Sequence, residues 1–149
     1  MGWMNRYSGF NAVGAALAVC VLLISAPANA TVKVVIDLSE QTMTVDTGSS
    51  SGVQNWKVST ARRGYRTPLG NHQPYLMKRK HFSSLYDNAP MPYSIFFKGN
   101  YAIHGTTALK SLGRPASHGC VRLHPDNARM LFEIVQQAGM PNTQIIVVP

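Results

Sequence analysis

Only one stretch of this chain repeats its apolar residues at helical spacing, and that restriction narrows the folds open to it. Ala128, Leu131, Phe132 and Val135 fall at i, i+3, i+4 and i+7, while Arg129, Glu133, Gln136 and Gln137 take the other faces. Pro125 suits a first helical turn, Asp126 complements the positive end of the helix dipole, and Gly139 supplies the stop. Elsewhere the repeat is two. Val32, Val34, Ile36 and Leu38 alternate with Lys33, Val35 and Asp37, and Met43 and Val45 repeat the pattern between Thr42, Thr44 and Asp46. Ser39-Glu40-Gln41 is short enough to close a hairpin between these strands, and residues 47–52 form a polar, glycine-bearing loop. Further strands are expected at 56–60, 72–77, 93–97, 101–104 and 144–148. Between 78 and 92 no periodicity survives, although Phe82, Leu85, Tyr86 and Met91 lie there; a loop of that length with its own apolar side chains reads as a lid. The pattern implies a mainly β domain with one C-terminal helix.

The first thirty residues stand apart. Arg6, an apolar run from Gly9 to Ile24, and Ala28-Asn29-Ala30 have the order of a secretory signal peptide with an A-x-A cleavage site. The expected organisation is therefore a signal peptide at 1–30 and one domain at 31–149, exported to the periplasmic or cell-wall side, with membrane contact only through the precursor's signal segment. Removing Arg6 takes the formal charge from +8 to +7. Arg62, Arg63 and Arg66 form one basic cluster, and Lys78, Arg79, Lys80 and His81 another. In an exported chain such clusters suit the carboxylates of a cell wall or a phosphate-bearing surface, and nucleic acid is not expected as a partner.

Export also isolates a thiol. Cys20 lies in the signal segment, so Cys120 has no internal disulfide partner. A lone cysteine is usually a small core residue. Its neighbours argue otherwise, since Ser117-His118-Gly119-Cys120-Val121-Arg122 follows Ile103-His104-Gly105 and gathers imidazoles and tight-turning glycine around the sulfur. A catalytic thiol is expected to have its pKa pulled below the free value of ~8.5, and imidazole is the usual partner. His104, His118, Cys120 and His124 are ligand types that zinc accepts, but their spacing matches no recognised site, and neither a metal nor an organic cofactor is expected. His72, His81 and His124 read as structural or surface histidines.

The same residues, with Thr67-Pro68-Leu69-Gly70, Met91-Pro92-Tyr93 and Leu112-Gly113, resemble the L,D-transpeptidases of the YkuD type across nearly all of 31–149. The resemblance implies a β-sandwich-like catalytic domain with a capping loop. It implies Cys120 as nucleophile and His104 as general base, with the Gly105 carbonyl holding the ring. Ser117 and His118 would brace the thiol loop by hydrogen bonds, and the amides of His118, Gly119 and Cys120 would form an oxyanion hole. Arg122 would grip a substrate carboxylate or else fix the loop through an internal ion pair, and Tyr93 with residues 82–92 would close over the substrate. The implied donor is a peptidoglycan tetrapeptide stem that loses its terminal D-alanine. The acceptor would be an amine of another stem, of a D-amino acid or of an envelope protein, and carbapenems would acylate Cys120. Water as acceptor, or a wall-binding module without turnover, are the alternatives. A papain-like order is excluded because His104 precedes Cys120.

Overall fold

The computed structural model describes residue 1 and residues 31–49 and 52–149. The expected signal peptide at 1–30 lies, apart from residue 1, outside the described residues. Val32–Asp37 (β1), Thr42–Asp46 (β2), Gln54–Lys57 (β3), Gly70–His72 (β4) and Thr143–Val148 (β9) make one sheet in the order β3-β2-β1-β9-β4. Leu76–Lys78 (β5), Ser94–Lys98 (β6), Tyr101–Gly105 (β7) and Val121–Leu123 (β8) make a second, in the order β5-β6-β7-β8. The helix α1 spans Pro125–Ala138. Neighbours pair antiparallel except β1 with β9 and β7 with β8, which run parallel.

Alternation along each strand sends one set of side chains into a shared core. Val34, Ile36, Met43, Val45, Ile145 and Val147 enter from the first sheet, Ile95, Phe97, Ile103, Val121 and Leu123 from the second, and Ala128, Leu131, Phe132 and Val135 from the helix. Each fully buried aliphatic side chain contributes roughly 1.5–3 kcal/mol, so this seam holds the two sheets and the helix together. Among the described residues, every buried side-chain nitrogen or oxygen has a hydrogen-bond partner. None of their helices is long and apolar enough to cross a membrane.

The first hairpin is tied to a distant loop. Asp37 Oδ1 accepts hydrogen bonds from the Ser39 and Glu40 amides, both at 2.9 Å, which turns the chain. Gln41 follows at φ 55° with its side chain buried. Its Nε2 donates to Leu38 O at 2.7 Å and Thr60 Oγ1 at 2.6 Å, and its Oε1 accepts from the Thr60 amide at 2.9 Å. Thr60 O in turn accepts from the amides of Ala116 and Ser117 at 2.9 and 2.8 Å.

Three strands differ from expectation. The segment 72–77 is two strands in two sheets, because Pro74 has no amide to donate and the chain crosses over there. The segment 56–60 leaves the first sheet after Lys57, and Ser59 exchanges backbone hydrogen bonds with Arg122 at 3.0 and 2.9 Å. Val121–Leu123, read only as part of a motif, is a strand beside β7. The loop from Arg79 to Tyr93 folds back on itself as a strap. The Tyr93 amide donates to Arg79 O at 2.9 Å, Met91 to His81 O at 2.8 Å, and Ser83 to Ala89 O at 2.9 Å.

Candidate active site

The parallel register of β7 and β8 sets Ile103 opposite Val121 and His104 opposite Arg122. Since Ile103, Val121 and Leu123 point into the core, alternation puts Ala102, His104, Cys120 and Arg122 on the other face of the second sheet. Cys120 packs there with Met91, Phe96 and Ala102. Strand spacing and rise place the Cα atoms of His104 and Cys120 on a diagonal of about 8 Å, a gap that an imidazole and a thiol span. The strap holding Met91 is fastened beside them, because the Gly105 amide donates to Pro92 O at 2.8 Å. Gly105 is glycine for space: a Cβ would lie 3.1 Å from Pro92 Cγ and 3.2 Å from Pro125 Cα.

His104 Nδ1 lies 2.7 Å from the Gly105 carbonyl oxygen. A carbonyl only accepts, so Nδ1 carries the hydrogen and Nε2 presents a free lone pair. Burial, against the opposing pull of that carbonyl, lowers the ring's pKa from 6.5 to about 4, with the Arg122 charge adding to the depression. At neutral pH the imidazole is therefore an uncharged base.

The thiol departs from expectation. Its pKa was expected below the free value, yet burial beneath Met91, Phe96 and Ala102 pushes it up, outweighing a backbone hydrogen bond from Ala102 and the Arg122 charge. Sγ makes a long 3.7 Å contact to the Asn100 carbonyl. Both shifts favour a neutral thiol beside a neutral imidazole.

Backbone demands shape the thiol loop. Ser117 is buried; its hydroxyl donates to Cys120 O at 2.6 Å and accepts from the Gly119 amide at 3.0 Å. Gly119 adopts φ 130°, and a Cβ there would strike the Tyr101 ring and lie 2.7 Å from Arg66 O. Thr67, read only as a turn residue, donates its hydroxyl to Gly119 O at 2.9 Å and accepts from the Ala61 amide at 3.2 Å. The Gly119 amide is thus engaged by Ser117.

His118 braces the loop by ring packing in place of the expected hydrogen bond. Tyr86 from the strap stacks on it at 4.2 Å and 9°, and Tyr65 meets it edge-on at 4.6 Å. Tyr93, expected at the substrate, turns instead to the helix, where its ring meets Phe132 at 5.8 Å. Arg122 is half-buried, and among the described residues no carboxylate lies within ion-pair range of it, so the internal ion pair is not formed there. His72 bonds Pro68 O at 3.1 Å, His81 packs edge-on against Phe96, and His124 caps the helix through Asp126 N at 3.3 Å. Among the described residues no three His, Cys, Asp or Glu side chains gather as metal ligands would. Sequence reasoning missed Thr67, Tyr65, Tyr86 and Arg62 as neighbours of the thiol loop, since nothing in their local spacing marks a contact made across the fold.

Comparison with known proteins bears on the fold and the family. The family model for the YkuD L,D-transpeptidase catalytic domain matches residues 31–147. Probable L,D-transpeptidase YbiS of Escherichia coli K12 is 45% identical over 49 residues, which cover 33% of this chain and 16% of that protein's length. An L,D-transpeptidase from Mycobacterium smegmatis superposes with a TM-score of 0.70 at 22% identity, covering 80% of this chain and 59% of the other. The L,D-transpeptidase LdtMt1, solved in complex with imipenem, gives 0.68 at 23% identity over 79% and 59%. The structural likenesses speak for the fold, and the family model for descent: this chain belongs to the YkuD family of L,D-transpeptidase catalytic domains.

Proposed function

We propose that the protein is a cysteine-dependent L,D-transpeptidase acting on peptidoglycan stems in an exported compartment. The observation that carries this reading is the buried imidazole of His104, neutral and held by the Gly105 carbonyl, on the same sheet face as Cys120. His104 Nε2 takes the thiol proton as sulfur attacks the carbonyl of the stem's third residue. The tetrahedral oxyanion forms against the amides of His118 and Cys120, each such donor being worth about 3 kcal/mol. Collapse breaks the C–N bond, and His104 returns the proton to the departing D-alanine amine, leaving a thioester. An incoming amine then attacks the thioester, gives its proton to His104, and regenerates the thiol.

Incubating the purified protein with tetrapeptide muropeptides, beside its Cys120→Ala variant, tests this by product mass. A Cys120-dependent cross-linked dimer supports transpeptidation. Cys120-dependent tripeptide alone assigns water as the acceptor, and absence of change in every donor sinks the enzymatic reading. Imipenem is bound in the related LdtMt1 structure. In this chain a carbapenem adduct is expected on Cys120 and is expected to be lost in Cys120→Ala.

A further inference from the structure

Two guanidinium groups converge on the thiol loop without a counter-ion. Arg122 projects from the face that carries Cys120 and His104, directly across the strand pair from the imidazole. Arg62 reaches the loop from outside: its amide donates to Ser117 O at 3.0 Å, and its guanidinium lies 4.9 Å over the Tyr65 ring, which in turn meets His118 at 4.6 Å. The positive charges of both arginines act on His118, and Arg62 acts on Arg122. The chain's six acids do not answer them. Asp37, Glu40 and Asp46 belong to the first hairpin, Asp126 lies beside His124 and Glu133 beside Arg129, and Asp87 at the strap's tip is out of ion-pair range of both guanidiniums. Like charges held near one another, one of them half-buried, cost stability unless an anion joins them.

We propose that Arg62 and Arg122 form a carboxylate subsite beside the thiol, which holds the α-carboxylate of the residue that departs and then that of an incoming amino-acid acceptor. The assignment rests on the transpeptidase reading for the identity of those residues. Its geometry follows from proton transfer. The departing amine takes its proton from His104, and the carboxylate is attached one carbon from that amine, so the group opposite His104 in register is the one placed to grip it. The acceptor enters where the departing residue left, by the reverse of the same step. The subsite therefore selects amines that carry a carboxylate on the same carbon over simple alkyl amines and water.

The test uses two donors, a tetrapeptide ending in D-alanine and the same peptide ending in D-alaninamide, with release of the terminal residue measured by mass spectrometry. The wild-type protein is expected to favour the free carboxylate in kcat/KM by roughly 10- to 100-fold, the weight of charge-assisted hydrogen bonds. In Arg62→Gln, whose side chain is exposed, and in Arg122→Gln, the preference should fall toward one. Equal use of both donors by the wild-type protein would overturn the subsite. Calorimetry on the Cys120→Ala protein separates this from failure of the parent reading. Tighter binding of the carboxylate peptide, lost when Arg62→Gln is added, upholds the subsite even if no donor is turned over, whereas equal binding of the two peptides overturns it.

Discussion

In the first sheet the side chains that face inward are apolar, and Val34, Ile36, Met43, Val45, Ile145 and Val147 satisfy one another by contact alone. Around the thiol loop a different kind of buried group gathers: His104 on the outer face of the second sheet, and Ser117, Thr60 and Thr67 in the segments beside it, each fixed by a directed hydrogen bond to backbone or to a neighbouring side chain. The same chain thus builds a region whose identity is volume and a region whose identity is orientation. Volume tolerates exchange of one apolar residue for another of similar size, while orientation tolerates very little.

The sharpest way to separate the regions is Cys120→Ala. Turnover of a tetrapeptide donor should fall by at least ~10³-fold, while the unfolding free energy moves by about 1 kcal/mol or less because little apolar area is lost. Leu131→Ala inverts the outcome. Denaturant unfolding should show a loss of about 3 kcal/mol, within the usual range for a buried leucine, with kcat per folded molecule retained. If Leu131→Ala instead abolished activity in fully folded protein, the division would be wrong.

Acid probes the oriented region directly. With the folded His104 pKa near 4 and the unfolded value near 6.5, the unfolded chain holds the extra proton between those values, so stability is complete above pH 6.5 and declines as pH falls toward 4. A gap of that size corresponds to about 3 kcal/mol. Unfolding curves across that window should show this slope in the wild-type protein and lose it in His104→Asn, and the acid limb of kcat/KM should lie nearer pH 4 than 6.5. The smallest effect is expected from Thr67→Val, which removes the hydroxyl between Gly119 and Ala61. A stability loss of about 1–2 kcal/mol is expected, with a fall in kcat larger than any change in KM.

The region built on volume was the more legible in sequence. The strands expected at 32–38 and 42–46 and the helix carry periodicity, the last strand is an apolar run, and the structure has each of them, the first ending at Asp37. Pro74 carried a signal for the crossover, since a residue without an amide cannot continue a central ladder. Val121–Leu123 was hidden because three residues are too few to display alternation. In the oriented region the motif itself was visible, but its electrostatics were not. The rise in the Cys120 pKa comes from burial against Met91 and Phe96, which lie far away in sequence, and no spacing near the cysteine encodes it. Tyr86 stacks on His118 across a similar distance, and Thr67 meets Gly119 across 52 positions.

β9 lies between β1 and β4 in the five-stranded sheet, although among the described strands it is the last in chain order. The sheet therefore stays in two pieces until that strand has arrived, and β1 and β4 share no edge without it. A chain emerging from a ribosome or threading through a narrow pore thus cannot join β4 to β1 before Thr143–Val148 takes its place between them.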